Sequence, residues 1–139
     1  MADGTFIDTS GWASFLVARE PHHDLACLAM EYMQLDQALV VTSNFVLAEL
    51  SALLISPLRI SHARRMQFLR SIRDAPWVHV VHVDQDVERR SWVLMERYND
   101  KAFSLVDCTS FVLMLDMGIS GALTSDQHFE QAGFRRLLS

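Results

Sequence analysis

Ala38-Leu39-Val40-Val41-Thr42 runs directly into Ser43-Asn44-Phe45-Val46-Leu47-Ala48-Glu49-Leu50, and this junction decides the fold class. The first five residues are a short, largely β-branched apolar run, and the chain beyond them reads as helix up to Ser56, just before Pro57. The same alternation extends outward in both directions. Upstream, Thr5-Phe6-Ile7-Asp8 reads as a strand, followed by helices over 9–18 and 22–37. Downstream, helices over 43–56 and 61–73 lead to a β-branched run over 77–83, and helices over 84–98 and 105–117 lead to a strand over 121–124. A short helix over 126–132 and an edge strand over 135–138 close the chain. Strands separated by one or two helices need crossover connections, and so pair in parallel. The expected fold is a three-layer α/β/α sandwich with a short, mostly parallel central sheet, in a single domain over 1–139.

Composition agrees. A chain of 139 residues that is 50% hydrophobic and 21% charged can bury one core but not two. That balance excludes a disordered chain. Five Gly and three Pro exclude a fibrous repeat. The net charge of −5 speaks against a protein that grips nucleic acid by charge alone. The opening Met1-Ala2-Asp3-Gly4-Thr5 lacks the basic and apolar regions of a signal peptide. No apolar run approaches the roughly 20 residues of a membrane span. Cys27 and Cys108 have no CxxC spacing and read as small, reduced residues of a cytoplasmic protein. The histidines are scattered, which disfavours zinc.

Four carboxylates stand out. Asp8 ends the first strand, where open parallel sheets line their binding crevice, and it is equally a helix cap. Glu49 sits in a helix that is apolar nearly all round, which predicts burial. A buried Glu needs a partner, a polar cleft or a metal, and the lack of nearby basic residues favours the cleft. Asp107 follows Ser104 by three residues, a capping-box pattern that opens the helix over 105–117. Because that helix leads into the strand over 121–124, its N-terminus lies at the same sheet edge as the strand C-termini. Asp126 caps the next helix at a strand end. Each acid has a structural explanation, yet four from separate elements should converge on one edge, where like charges repel. A hard divalent cation resolves the conflict, and an oxygen-only donor set favours Mg²⁺ or Mn²⁺.

The motifs around these acids resemble those of a known family. Phe6-Ile7-Asp8-Thr9-Ser10 resembles the opening strand of PIN-domain nucleases, and Thr42-Ser43-Asn44 leading to Ala48-Glu49-Leu50 resembles their second motif. Tyr98-Asn99-Asp100-Lys101-Ala102-Phe103-Ser104-Leu105-Val106-Asp107-Cys108 resembles the third motif of VapC-like toxins. Leu123-Thr124-Ser125-Asp126-Gln127-His128-Phe129 resembles the fourth, with Gly133-Phe134 after it. The likeness covers 6–137. It implies an Mg²⁺- or Mn²⁺-dependent endoribonuclease, the toxin of a type II toxin–antitoxin pair. In that picture Asp8 and Asp107 hold the metal most directly, and Glu49 and Asp126 complete the set, partly through water. Thr9, Ser104 and Ser125 orient the carboxylates, and Asn44 stands with them or at the rim. The resemblance also implies an RNA substrate, a small antitoxin that blocks the site, a homodimer and no membrane association.

Other residues are candidates for binding. Arg59, Arg64, Arg65, Arg70 and Arg73 form an acid-free stretch, with Arg70 and Arg73 neighbours on one helix face, suited to RNA phosphate, to an antitoxin or to plain solvent. Lys101, the only lysine, is placed for the cleft mouth or for a surface loop. Trp12 reads as core or as a base-stacking ring. His79 and His82 point to opposite strand faces and cannot pair on a metal. Two other functions fit the pattern: a housekeeping or non-catalytic PIN module, and a phosphotransfer domain using Asp8. Setting the four site acids aside takes the net charge from −5 to −1, so the acidity does not exclude RNA.

Overall fold

The computed structural model describes residues 4–139, and the reading of the chain's start rests on Met1, Ala2 and Asp3, which lie outside the described residues. The elements run β1 (Thr5–Ile7), α1 (Thr9–Leu16), α2 (His23–Leu35), β2 (Val40–Ser43), α3 (Asn44–Ile55), α4 (His62–Asp74), β3 (Val78–Val81), α5 (Gln85–Arg97), α6 (Leu105–Met117), β4 (Gly121–Leu123), α7 (Gln127–Gln131) and β5 (Arg135–Arg136). The strands form one sheet in the order β3-β2-β1-β4-β5. Every pairing is parallel, so the sheet is wholly rather than mostly parallel. Helices flank it, completing the expected α/β/α sandwich.

The strand order positions the site. From β1 the chain moves one way to β2 and β3, and the other way to β4 and β5. The C-terminal ends of β1 and β4 therefore flank the point where the connections diverge, which is where such sheets bind ligands. Asp8 follows β1 and Thr124 follows β4.

Local chemistry sets the boundaries. Side-chain caps open α1 (Asp8), α3 (Ser43), α4 (Ser61), α5 (Asp84) and α7 (Asp126). The box predicted at Ser104 and Asp107 is present in both directions, and Gly118 closes α6 in the left-handed conformation at φ 68. The β-branched run expected over 77–83 forms a strand only over Val78–Val81, and the Val83 N–H goes instead to the Asn44 side chain at 2.8 Å. β5 likewise covers two of the four residues expected.

The helix enclosed on every side, over two turns at its middle, is α6 rather than α3. Cys108 through Met114 are all buried in α6. In α3 only Val46, Leu50 and Leu54 are, while Ala48, Glu49, Ala52 and Ile55 face outward. Composition alone could not separate the two, because which faces of a helix are covered depends on where the topology sets its neighbours. α6 is packed by α3, α5 and α7. Trp12 is 1% exposed and donates its indole N–H to Thr42 Oγ1, so it is core and unavailable to stack a base. Both cysteines are free thiols; Cys108 is buried and Cys27 partly so.

Gly11 shows how closely α1 lies on the sheet. A Cβ there would stand 2.0 Å from the Leu123 carbonyl oxygen, a backbone atom that cannot move aside. Gly11→Ala is expected to cost about 3 kcal/mol or more, at the upper end for overpacking, read by chemical denaturation.

Candidate active site

A cleft of about 190 Å³ opens at the divergence point, lined by Asp8, Glu49, Asp107 and Asp126 among others, with no Lys or Arg in its lining. The four acids expected to converge are thus brought to one place, each by a different element.

Asp8 is the deepest, at 7% exposed. Its Oδ1 accepts from the Gly11 N–H and the Ser10 hydroxyl, both at 2.8 Å, and its Oδ2 accepts from the Thr124 hydroxyl at 2.7 Å. Cap and site acid are the same residue: one oxygen is filled by the start of α1, and the other keeps a lone pair. Burial pushes its pKa up to about 7, and the charge of Asp126 adds to the rise, against the pull of the Thr124, Gly11 and Ser10 hydrogen bonds.

Asp107 sits in the first turn of α6. Its Oδ2 accepts from the Ser104 N–H at 3.1 Å, while its own N–H donates to Ser104 Oγ at 3.0 Å. Ser104 therefore orients Asp107 through its backbone N–H. Asp126 caps α7, its Oδ1 accepting from the His128 N–H at 2.9 Å. Thr124 links the acids, since its hydroxyl donates to Asp8 and accepts from the Asp126 N–H at 3.0 Å.

Glu49 is exposed on the cleft wall, not buried as its helix suggested. The Thr9 hydroxyl holds it with a hydrogen bond of 2.5 Å. Ser125 takes part through its backbone: its N–H donates to Ser10 Oγ at 3.0 Å, and its carbonyl accepts from Arg136 at 3.1 Å. Asn44 spends its side-chain oxygen on Val83 and so braces the β2–α3 junction. Arg70, Arg73 and Lys101 do not line the cleft. Arg73 pairs with Asp74 at 2.8 Å and Lys101 with Asp100 at 3.5 Å, so each is answered by its own sequence neighbour.

One residue at the site is not singled out by the sequence. Carboxylate oxygens of Asp107 and Asp126 and a ring nitrogen of His128 lie within 4.8 Å of one another. The available signal was the position of His128 two residues after Asp126, on the same short helix.

The residues present fit a divalent cation. Four carboxylates around a small cleft with no Lys or Arg in its lining concentrate negative charge, and carboxylate donors of this kind suit a hard divalent cation.

Known proteins resemble this chain in fold and in sequence. Residues 5–135 match the PIN domain family. The 23S rRNA-specific endonuclease VapC20 of Mycobacterium tuberculosis is 36% identical over 129 residues, 93% of this chain and 94% of that protein. The crystal structure of VapC20 from the same organism, described as a Sarcin-Ricin loop cleaving toxin, has a TM-score of 0.81 at 33% identity, covering 94% of this chain and 96% of that one. FitAcB from Neisseria gonorrhoeae has a TM-score of 0.67 at 13% identity, covering 93% and 92%, a likeness of fold alone.

Proposed function

Since the chain belongs to the PIN-domain family, as one of its VapC-like members, we propose that it is an endoribonuclease acting as the toxin of a type II toxin–antitoxin pair. The observation that carries this reading is the cleft at the C-terminal ends of β1 and β4, lined by Asp8, Glu49, Asp107 and Asp126 without a basic residue. In it Asp8 and Asp107 hold an Mg²⁺ or Mn²⁺ ion most directly, with Glu49 and Asp126 completing the donor set. Bound there, the ion supplies the Lewis acidity for attack of water on a phosphodiester.

The chain's own residues do the positioning. Ser10, Gly11 and Thr124 fix Asp8, Ser104 fixes Asp107, and Thr9 fixes Glu49. Such partners keep ligating acids in place before the ion arrives. We propose the same class of target that VapC20 is named for, a loop of 23S rRNA.

An antitoxin and a homodimer belong to the proposal, the homodimer on the resemblance alone. Leu25, Leu28, Tyr32 and Leu35 make an exposed apolar stripe along α2, with Leu35 at 75% exposed. Asp24 and Glu31 flank it, and α2 has no Lys or Arg. Two such helices would set acid against acid, so we assign the stripe to an antitoxin segment with apolar anchors and basic flanks. Among the described residues no helix is long and apolar enough to cross a membrane. The proposed target places the protein in the cytoplasm.

The test is cleavage of a synthetic RNA carrying the sarcin–ricin loop beside a scrambled RNA of equal length, in Mg²⁺ or Mn²⁺. One defined cut in the loop RNA alone is expected. Equal cutting of both overturns the choice of target, and cutting of neither overturns the nuclease reading.

A further inference from the structure

We propose that His128 is a positioning residue for metal binding, acting through Asp107; this rests on the metal-dependent reading of the cleft. Asp107 Oδ2 accepts from the Ser104 N–H at 3.1 Å and lies 3.0 Å from His128 Nδ1. A carboxylate oxygen offers two lone-pair sites, so these two donors fill Oδ2 and leave Oδ1 for a ligand in the cleft. Ser104 alone would hold the carboxylate at a single point. The second donor, coming from another helix, fixes the plane of the group.

The contact requires the imidazole to carry a proton on Nδ1. The ring is held in that orientation. Its backbone N–H is tied to Asp126 Oδ1 at 2.9 Å, and Nδ1 stands 3.4 Å from the same oxygen. The Phe103 ring meets it edge to face, with centroids 5.5 Å apart at 72°. Phe103 packs in turn against Phe111 of α6, at 5.1 Å. His128 thus couples the acid that opens α6 to the acid that caps α7, and it stands 21 residues from Asp107 in sequence. Without it, two carboxylates lining one cleft have no donor between them, and they would swing apart to reduce their repulsion.

The experiment is Mn²⁺ binding to the purified protein, followed by electron paramagnetic resonance, for wild type, His128→Ala and His128→Asn. Asn presents an N–H at nearly the same reach as Nδ1 but lacks the ring, so it separates the hydrogen bond from the contact with Phe103. His128→Ala is expected to weaken Mn²⁺ binding about 10–100-fold, with His128→Asn recovering most of the loss. Melting of the metal-free proteins reports separately on folding, and if His128→Ala does not fold, wild type and His128→Asn are compared with His128→Leu. Unchanged Mn²⁺ affinity in the alanine or leucine variant overturns the proposal. So does a nitrogen coupling in the spin-echo spectrum of wild-type Mn²⁺, which would make His128 a ligand. If wild type itself takes up no Mn²⁺, the metal-dependent reading fails, and this one fails with it.

Discussion

Asp8→Asn is expected to abolish RNA cleavage and at the same time to raise the melting temperature of the metal-free protein at neutral pH. The two effects share one cause. Asp8 is 7% exposed, and its folded pKa of about 7 lies far above the value near 3.9 of an unfolded chain. Between those values the folded state keeps a proton that the unfolded state has lost. The metal-free wild type therefore loses stability as pH rises from about 4 to about 7, and the full penalty persists above that window. Asn is neutral throughout and keeps an oxygen for the Gly11 N–H. At pH 7.5 the variant should be more stable by about 1–3 kcal/mol, less than the full linkage value because an amide accepts hydrogen bonds more weakly than a carboxylate. That is a rise of several degrees in a domain of this size.

The gain should shrink toward zero as pH falls to 5, which thermal scans across pH would show. Cleavage should fall at least about 100-fold, beyond what losing an outer partner of a metal ligand costs. A variant that is less stable at pH 7.5 would overturn the raised pKa of Asp8, and one that still cuts RNA at the wild-type rate would show that Asp8 is only a helix cap.

Chelation is the second large effect. With EDTA in excess, cleavage is expected to fall to background. Restoring Mg²⁺ or Mn²⁺ should recover it and raise the melting temperature as well. A cation at 100 times its dissociation constant adds about 2.7 kcal/mol to the folded state. The reason is electrostatic: four acids line a cleft with no Lys or Arg, and the ion is the one species that can neutralise them together. Binding should also release a proton near neutral pH, because Asp8 must ionise to accept the ion. Asp107→Asn should remove most of the thermal shift. Cleavage that continues in EDTA would overturn the metal assignment whatever the other results.

The site was legible in the sequence to different depths. Asp8 and Asp126 were readable because each follows a strand closely, and a strand end in a parallel sheet has a known place. Asp107 was readable through its capping box with Ser104, a local pattern. Glu49 stood out for a reason that does not hold: it is exposed, and what ties it to the site is Thr9, 40 residues away. Asn44 and Ser125 stand at the expected junctions, but their bonds go to Val83, Ser10 and Arg136, partners set by packing between elements. The arginine run was conspicuous in sequence but lies on and just before α4, none of whose residues line the cleft.

The sequence by itself determined the α/β alternation, the parallel pairing and three of the helix caps that matter most, those at Asp8, Ser104 and Asp126. These depend on residues within one turn or one strand of each other, and their chemistry is complete locally. Only the tertiary structure decided which helix is enclosed, which oxygen of each acid is filled, and that His128 stands between Asp107 and Asp126. Those outcomes depend on the strand order β3-β2-β1-β4-β5, which sets residues far apart in the chain at hydrogen-bonding distance. Hydrogen bonds and burial act over a few ångströms, and distance along the chain does not report on distance in space.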